Sequence, residues 1–555
     1  MKKQFLAVCL LMLACLSFSF TEKKTIEPIA NVQSMEHVQP HIFVLMGATG
    51  DLAHKKLFPA LFNLFHNGDL PKNFVMVGSA ISPLTQEEFH QKIRQSLEAN
   101  LPAKLKDPKL WQEFINKFYY QKLDFANAAD YEKLKLFLDE KDKQFQTQGN
   151  RIFYLAIPPS FFPKVNQNLN DQKLMVRANK LEKSWSRIVI EKPFGHDLDS
   201  AVALQKHITN DFDSSQIYLI DHFLGKEVVQ NLLPLRLSNP LFSKLWNRQG
   251  IDNVQITFSE NIGIGTRGKF WEETGLLRDI IQNHLMQLLA LIAMEPPTSL
   301  QADDIRAQKL KAVEAIRPFT LEDIEKQIVR GQYGSGMVDG KKAVGYRQEK
   351  DVPADSNVET FVAAKLMIDN ERWQGVPFYL RAGKRLDKNL VEIVVTFKED
   401  PTALLSGNES KKYSPNKLVI RVQPDPEIYL QFNTKLPGLH GEVKTLKMSF
   451  NYHNSLGVRI PDAYETLFYE SMLGNSSLFV SIGEILASWR LYTPILSKWQ
   501  AELPMNSFPN YPAGSFGPSN ADHLLEKGNT WHGDPSTPHK IFHTNEMPSP
   551  QRKAA

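Results

Sequence analysis

From His41 onward, short apolar runs alternate with longer stretches of helical periodicity. Residues 42–46 are apolar without interruption, Leu57, Leu61, Leu64 and Phe65 then recur at helical spacing, and residues 74–77 form a second apolar run. A strand, a turn cornered by glycines, a helix facing inward through those four residues and another strand begin a βαβ unit. Further buried strands end in polar residues or proline, at "RIFYLAIPP" (151–159), "RIVIEKPFG" (187–195) and "IYLIDHFLGKE" (217–227), with charged, helix-like stretches between them. This alternation predicts a parallel doubly wound sheet, whose ligands sit beyond the C-terminal strand ends.

After about residue 225 the rhythm changes. Strand-like alternation recurs at 253–260, 359–368, 376–381, 391–398, 417–423 and 443–449, with hairpin or long-loop spacing that favours an antiparallel or mixed sheet. The stretch "TGLLRDIIQNHLMQLLALIAM" (274–294) reads as one long helix, apolar on nearly every face and therefore buried. Beyond Pro504 the chain is rich in Pro, Gly, Ser and Asn and reads as loop, partly disordered past about Ile541. No internal repeat is visible.

In "GATGDLA", Gly47 and Gly50 let the backbone turn tightly, and the helix that follows offers unpaired N–H groups to a diphosphate. The strand before it and the helix after it make this a dinucleotide turn with altered glycine spacing. Lys56 is then a phosphate or substrate cation. After the second strand, "VGSAISPLT" (77–85) holds neither the carboxylate that selects a ribose hydroxyl nor the arginine that selects a 2′-phosphate; Ser79 and Ser82 are its donors. The expected fold is an α/β dinucleotide-binding (Rossmann-like) domain at 41–224 followed by a larger α+β domain with a mainly antiparallel sheet at 225–518. A leader and linker (1–40) and a tail (519–555) flank them.

At 555 residues the chain exceeds a single hydrophobic core, so two packed units are no surprise. With 65 basic and 61 acidic side chains the net charge is only +4, and no Lys/Arg block or aromatic-basic patch appears, which argues against a nucleic-acid partner. The N-terminus differs in kind: Lys2 and Lys3 precede an apolar run at 5–20, a secretory-signal pattern. A start at Met35 is the alternative. Both cysteines, Cys9 and Cys15, fall in that run, so a chain without it has no thiol chemistry.

Polar residues stand where burial makes them expensive. Glu191, Lys192 and Pro193 end one parallel strand, and Asp221, His222 and then Lys226 follow another, supplying a carboxylate and cations at the expected ligand edge. Asp279 and His284 interrupt the apolar stretch 274–294. A buried imidazole with carboxylates available can take a proton from a hydroxyl.

Taken together, these stretches resemble glucose-6-phosphate dehydrogenases. The resemblance is carried by "GATGDLAHKKLFPALFNLF", "RIFYLAIPPSFF", "RIVIEKPFGHDL", "IDHFLGKEVVQNLLPLR", "TFSENIGIGTRGKFWEETGLLRDIIQNHLMQLLALIAMEPP", "VPFYLRAGKRL", "IRVQP", "PDAYETL" and "YPAGSFGP", in family order from 42 to about 518. It implies oxidation of glucose 6-phosphate to the 6-phospho lactone with reduction of NADP, opening the pentose phosphate route, in a homodimer or homotetramer without a metal. His284 is implied as general base and Asp221 as its orienting carboxylate. His222, Lys226 and Lys384 are implied for the sugar phosphate, Glu260 and Asp279 for the sugar hydroxyls, and Lys192 between substrate and coenzyme, with Pro193 helping to set it. Gly47, Thr49, Gly50, Asp51, Leu52, Lys56 and Ser79 are implied for the coenzyme. A cytosolic coenzyme pool implies cytoplasm; an exported or membrane-associated form is the alternative. This sequence departs at Phe223, where a tyrosine is usual, at Asn389, where a second cation is usual and Lys388 stands next to it, and at Ile81 and Pro83, where arginines usually meet the 2′-phosphate. NAD-preferring or dual-coenzyme use, or a coenzyme-binding sensor without activity, are the alternatives that follow.

Overall fold

The computed structural model describes residues 37–176, 184–399, 414–437, 443–452, 457, 459–502 and 507–534. The leader with Cys9, Cys15 and Met35, and the tail beyond residue 534, lie outside them. Val38 begins one compact unit that holds both sheets.

The first sheet has six parallel strands in the order β3-β2-β1-β4-β5-β6, where β1 is His41–Met46, β2 Phe74–Ala80, β3 Phe118–Lys122, β4 Arg151–Leu155, β5 Ser186–Ile190 and β6 Ile217–Leu219. This is the doubly wound order, with its switch point between β1 and β4. Successive β1 side chains enter opposite cores: Ile42, Val44 and Met46 one, Phe43 and Leu45 the other. Both faces are covered, which is why the run is wholly apolar. The helical segment 53–67 packs Leu57, Leu61 and Leu64 on the Phe43 face and stops at Gly68, whose φ of 81° suits glycine. Strand β3 was not anticipated; it is a short edge strand whose exposed Lys122 and half-buried Gln121 resemble a surface turn.

The second sheet is mixed, with eight strands in the order β14-β13-β12-β11-β7-β10-β9-β8. Here β7 is Ile251–Ser259, β8 Ile328–Gly331, β9 Phe361–Met367, β10 Pro377–Gly383, β11 Leu390–Phe397, β12 Lys417–Gln423, β13 Glu427–Lys435 and β14 Val443–Asn451. Neighbours run antiparallel except β7 and β10, which are parallel. Residues 519–534, set apart above as a tail, pack against this sheet's core through Ala521, Leu524 and Trp531. Among the described residues no helix is long and apolar enough to cross a membrane.

The buried stretch 274–294 is not one continuous α-helix. Gly268–Leu276 breaks at Gly275 (φ 68°, ψ 172°), Leu277–Leu285 is wound as a π-helix, and Met286–Ala293 returns to α. Glu359 Oε1 accepts from Leu277 N at 3.0 Å and caps the restart, and a Cβ on Gly275 would meet that same oxygen at 2.5 Å. Burial of the stretch is as expected, with Leu285 to Met294 in the core.

Candidate active site

The glycine turn is pressed between neighbouring strands. Gly47 N and Ala48 N donate to Ser79 O at 2.8 and 3.2 Å, and Gly50 N closes onto Gly47 O at 3.0 Å. Gly47 has φ 90°, and a Cβ there would stand 2.2 Å from Ala156 O at the end of β4. Thr49, Gly50 and Asp51 are exposed and Leu52 half-buried where the helix begins, so the turn presents backbone rather than side chain at the strand edge. That fits a dinucleotide's pyrophosphate. Gly47→Ala combines a positive φ with a backbone clash; we expect it to cost about 1–3 kcal/mol of stability and to weaken coenzyme binding, read by thermal melts with and without coenzyme.

Ser79 is placed otherwise than expected. Strand side chains alternate, and Ser79 falls on the face of Val75 and Val77, packed beneath the helix Ala128–Phe145. It is fully buried, and its Oγ has no hydrogen-bond partner among the described residues. Its contribution to the site is its carbonyl, which holds the turn. Beyond it Ile81 is 60% exposed, and the Tyr120 hydroxyl donates to Ser82 O at 2.5 Å.

Past the ends of β5 and β6 the structure assembles a line of polar contacts. His284 Nδ1 lies 2.6 Å from Asp221 Oδ1, and His284 Nε2 lies 2.9 Å from Lys192 Nζ. An ammonium only donates and a carboxylate only accepts, so Nδ1 carries the proton and Nε2 the lone pair. Lys192 Nζ also donates to Asp279 Oδ1 at 3.0 Å and to Asp279 O at 3.1 Å. Asp279 and His284 are five residues apart; on an α-helix they would diverge by roughly 140°. A π-turn bonds residues five apart and brings both to one side.

Burial pushes the His284 imidazole below its ordinary pKa, and Lys192 adds to this while Asp221 opposes it. The ring is neutral near pH 7. Burial opposes the Asp221 charge, yet the neighbouring His284, His222 and the Phe223 N–H hold its carboxyl below the ordinary range. Asp279 is likewise lowered against its burial, by Lys192, His284 and Lys384.

The other side chains expected at the site have partners of their own. Lys226 Nζ donates to Gln423 Oε1 at 2.9 Å and lies 5.0 Å from the Phe223 ring centre. The His222 ring meets that of His284 edge-on at 4.7 Å, and burial with the neighbouring His284 holds it well below its ordinary pKa. Lys384, 3% exposed, is ion-paired with Glu260. Lys56 Nζ stands 3.0 Å from Asp462 Oδ2. Asp221, His222 and His284 bring ligand atoms within 4.8 Å of one another, but both ring nitrogens of His284 already serve Asp221 and Lys192.

Phe223 is 1% exposed and fills space between His284 (ring centres 4.7 Å apart) and Phe258 (5.7 Å). Asn389 Oδ1 accepts from Asn261 N at 3.0 Å. Beside it, Lys388 Nζ lies 3.5 Å from Gly533 O and 3.8 Å from Asp387. Gln423, Asp462 and Tyr464 were not singled out as site residues, although each sits in a stretch quoted above. Their signal was the motif alone, since their partners lie far along the chain.

Comparison with known proteins bears on the whole of this arrangement. The family described as "Glucose-6-phosphate dehydrogenase, NAD binding domain" matches residues 44–231, and "Glucose-6-phosphate dehydrogenase, C-terminal domain" matches residues 233–532. A glucose-6-phosphate 1-dehydrogenase of Chlamydia pneumoniae is 46% identical over 508 residues, 91% of this chain and 98% of that protein. One of Bacillus subtilis is 40% identical over 486 residues, 88% of this chain and 96% of that protein. A solved glucose-6-phosphate dehydrogenase in complex with its substrate glucose 6-phosphate superposes with a TM-score of 0.80 at 35% identity, covering 89% of this chain and all of that one. Both halves of the chain and its fold match, and the chain belongs to the glucose-6-phosphate dehydrogenase family.

Proposed function

We propose that this chain oxidises glucose 6-phosphate to 6-phospho-glucono-1,5-lactone with NADP as coenzyme. The observation that carries the reading is the Asp221–His284–Lys192 line, at 2.6 and 2.9 Å, with Asp221 and His284 buried and the lone pair on Nε2. His284 Nε2 accepts the proton of the C1 hydroxyl, and Asp221 stabilises the imidazolium that results. Lys192 yields its contact with Nε2 to the incoming hydroxyl and keeps Asp279. His222, Lys226 and Lys384 hold the phosphate, with Glu260 and Asp279 accepting from sugar hydroxyls. Gly47, Thr49, Gly50, Asp51, Leu52 and Lys56 line the coenzyme's phosphates. A bound nicotinamide supplies the hydride acceptor.

NADP rather than NAD is the finer part of the proposal and rests on the family resemblance alone, since Ile81 and Pro83 offer the 2′-phosphate no cation. A homodimer or homotetramer belongs to the same reading; the edge strand β14 exposes Met448 (61%) and Phe450 (37%). The test is initial-rate reduction of NADP and of NAD with glucose 6-phosphate, glucose and fructose 6-phosphate. Turnover confined to glucose 6-phosphate, with kcat/KM higher for NADP, is expected. Equal or better use of NAD overturns the coenzyme choice alone; absence of turnover by folded, coenzyme-binding protein overturns the reaction and favours a sensor.

A further inference from the structure

Glu359 is a buried carboxyl that the chemistry above does not use. It stands just before β9 and is 5% exposed. Its partners belong to the segment that carries Asp279 and His284. The break at Gly275 separates the π-turn Leu277–Leu285 from the α-helix before it, and the first N–H groups of a helix find no partner within it. Glu359 takes two of them: its backbone O accepts from Leu276 N at 3.3 Å, and its Oε1 accepts from Leu277 N at 3.0 Å. Ahead of the break, Trp271 Nε1 donates to the same backbone O at 3.4 Å. Both sides of the break are thus tied to one residue. Burial raises the Glu359 carboxyl above its ordinary range and the Leu277 N–H opposes this; with or without its proton, a carboxyl keeps an oxygen that accepts.

The next residue holds another part of the site. Thr360 O accepts from Lys384 N at 2.9 Å, and the Tyr511 hydroxyl lies 2.8 Å from Lys384 O and 3.2 Å from Thr360 O. Lys384 Nζ in turn lies 5.1 Å from the centre of the Trp271 ring. Two consecutive residues therefore anchor the start of the π-turn and the backbone of Lys384. Asp279 is the third residue of that turn and His284 the eighth. Rotation about a helix axis accumulates residue by residue, so the direction in which both side chains point is set where the turn starts. A displaced start would swing Asp279 away from Lys192 Nζ, now 3.0 Å from its Oδ1.

Resting on the reading of the site given above, we infer that Glu359 is a positioning residue: by accepting from Leu276 N and Leu277 N it fixes where the π-turn starts, so that Asp279 and His284 both meet Lys192. It touches no reacting atom.

Glu359→Ala removes the side-chain acceptor and strands the Leu277 N–H. It should lower kcat/KM for glucose 6-phosphate about 10- to 100-fold, through His284 in kcat and through Asp279 in KM. The KM for NADP should stay near wild type, because the coenzyme's glycine turn stands on the other sheet. Glu359→Gln keeps an acceptor for Leu277 N and should restore most of the loss. Should Glu359→Ala melt too low to assay, Glu359→Asp takes its place, drawing the carboxyl back from the turn by one methylene. A wild-type kcat/KM in Glu359→Ala overturns the inference. So does an equal loss in Glu359→Gln, which would make the charge rather than the acceptor responsible. A KM for NADP that rises as much as that for glucose 6-phosphate, the pattern of general damage, overturns it too. The parent reading fails separately, by absence of wild-type turnover. In that event calorimetric affinity for glucose 6-phosphate reads the turn through Asp279, and equal affinities of wild type and Glu359→Ala overturn the inference.

Discussion

Replacing His284 with asparagine should lower kcat by about 10²- to 10⁴-fold, while glucose 6-phosphate still binds. Removing the imidazole leaves no other buried lone pair at the end of the Asp221 line; Lys192 only donates, and Asp279 already accepts from it at 3.0 Å. In the proposed site the phosphate is held by other side chains, Lys226, His222 and Lys384, on other elements. Uptake of the sugar phosphate, measured by calorimetry, should therefore change far less than turnover. Asparagine is smaller and polar, and a thermal melt separates loss of chemistry from loss of fold. A kcat within a few-fold of wild type would remove His284 from the role of base.

What the sequence disclosed follows physical lines. Strand β1 was legible from its unbroken apolar run, buried on both faces, and β7 and β10 from the strand-like alternation at 253–260 and 376–381. Strands β8 and β13 were missed: the first is a four-residue edge and the second mixes polar and apolar residues where its outer face is partly open. The π-winding at 277–285 could not be read, because a stretch apolar on nearly every side carries no polar stripe to report its pitch. Its consequence, Asp279 and His284 on one side, could not be read either; the two residues stood out by type alone. Strand-end chemistry was legible at Lys192, Asp221 and His222, since the fold class places ligands there. Their partners were not, because Lys226 meets Gln423 across 197 residues and Lys56 meets Asp462 across 406. Ser79 is the instructive miss: Val75, Val77 and Ser79 share one strand face, and that alternation foretold its burial.

Asp221→Asn is expected to reduce kcat on the order of 10³- to 10⁴-fold, the scale set by losing the carboxylate behind a catalytic imidazole. An amide nitrogen facing Nδ1 would force the proton onto Nε2, where the Lys192 ammonium, 2.9 Å away, also needs an acceptor. Two donors would then oppose each other and the lone pair would be lost from the substrate side. The pH profile adds a sign that the rate alone lacks. A general base works when deprotonated, and His284 is held below its ordinary value, chiefly by burial. Wild-type kcat/KM should therefore rise with pH through an acid limb lying below 6.5, the ordinary value, and stay level at neutral pH. Asp221 is the main influence that raises His284. Without its charge the acid limb moves to still lower pH, beneath a much lower plateau. If His284 acted instead as a cation for the phosphate, kcat/KM would fall as pH rises, and the carboxylate's removal would show mainly in KM. The two behaviours slope in opposite directions, so one pH series on wild type and variant decides between a base and a binding charge.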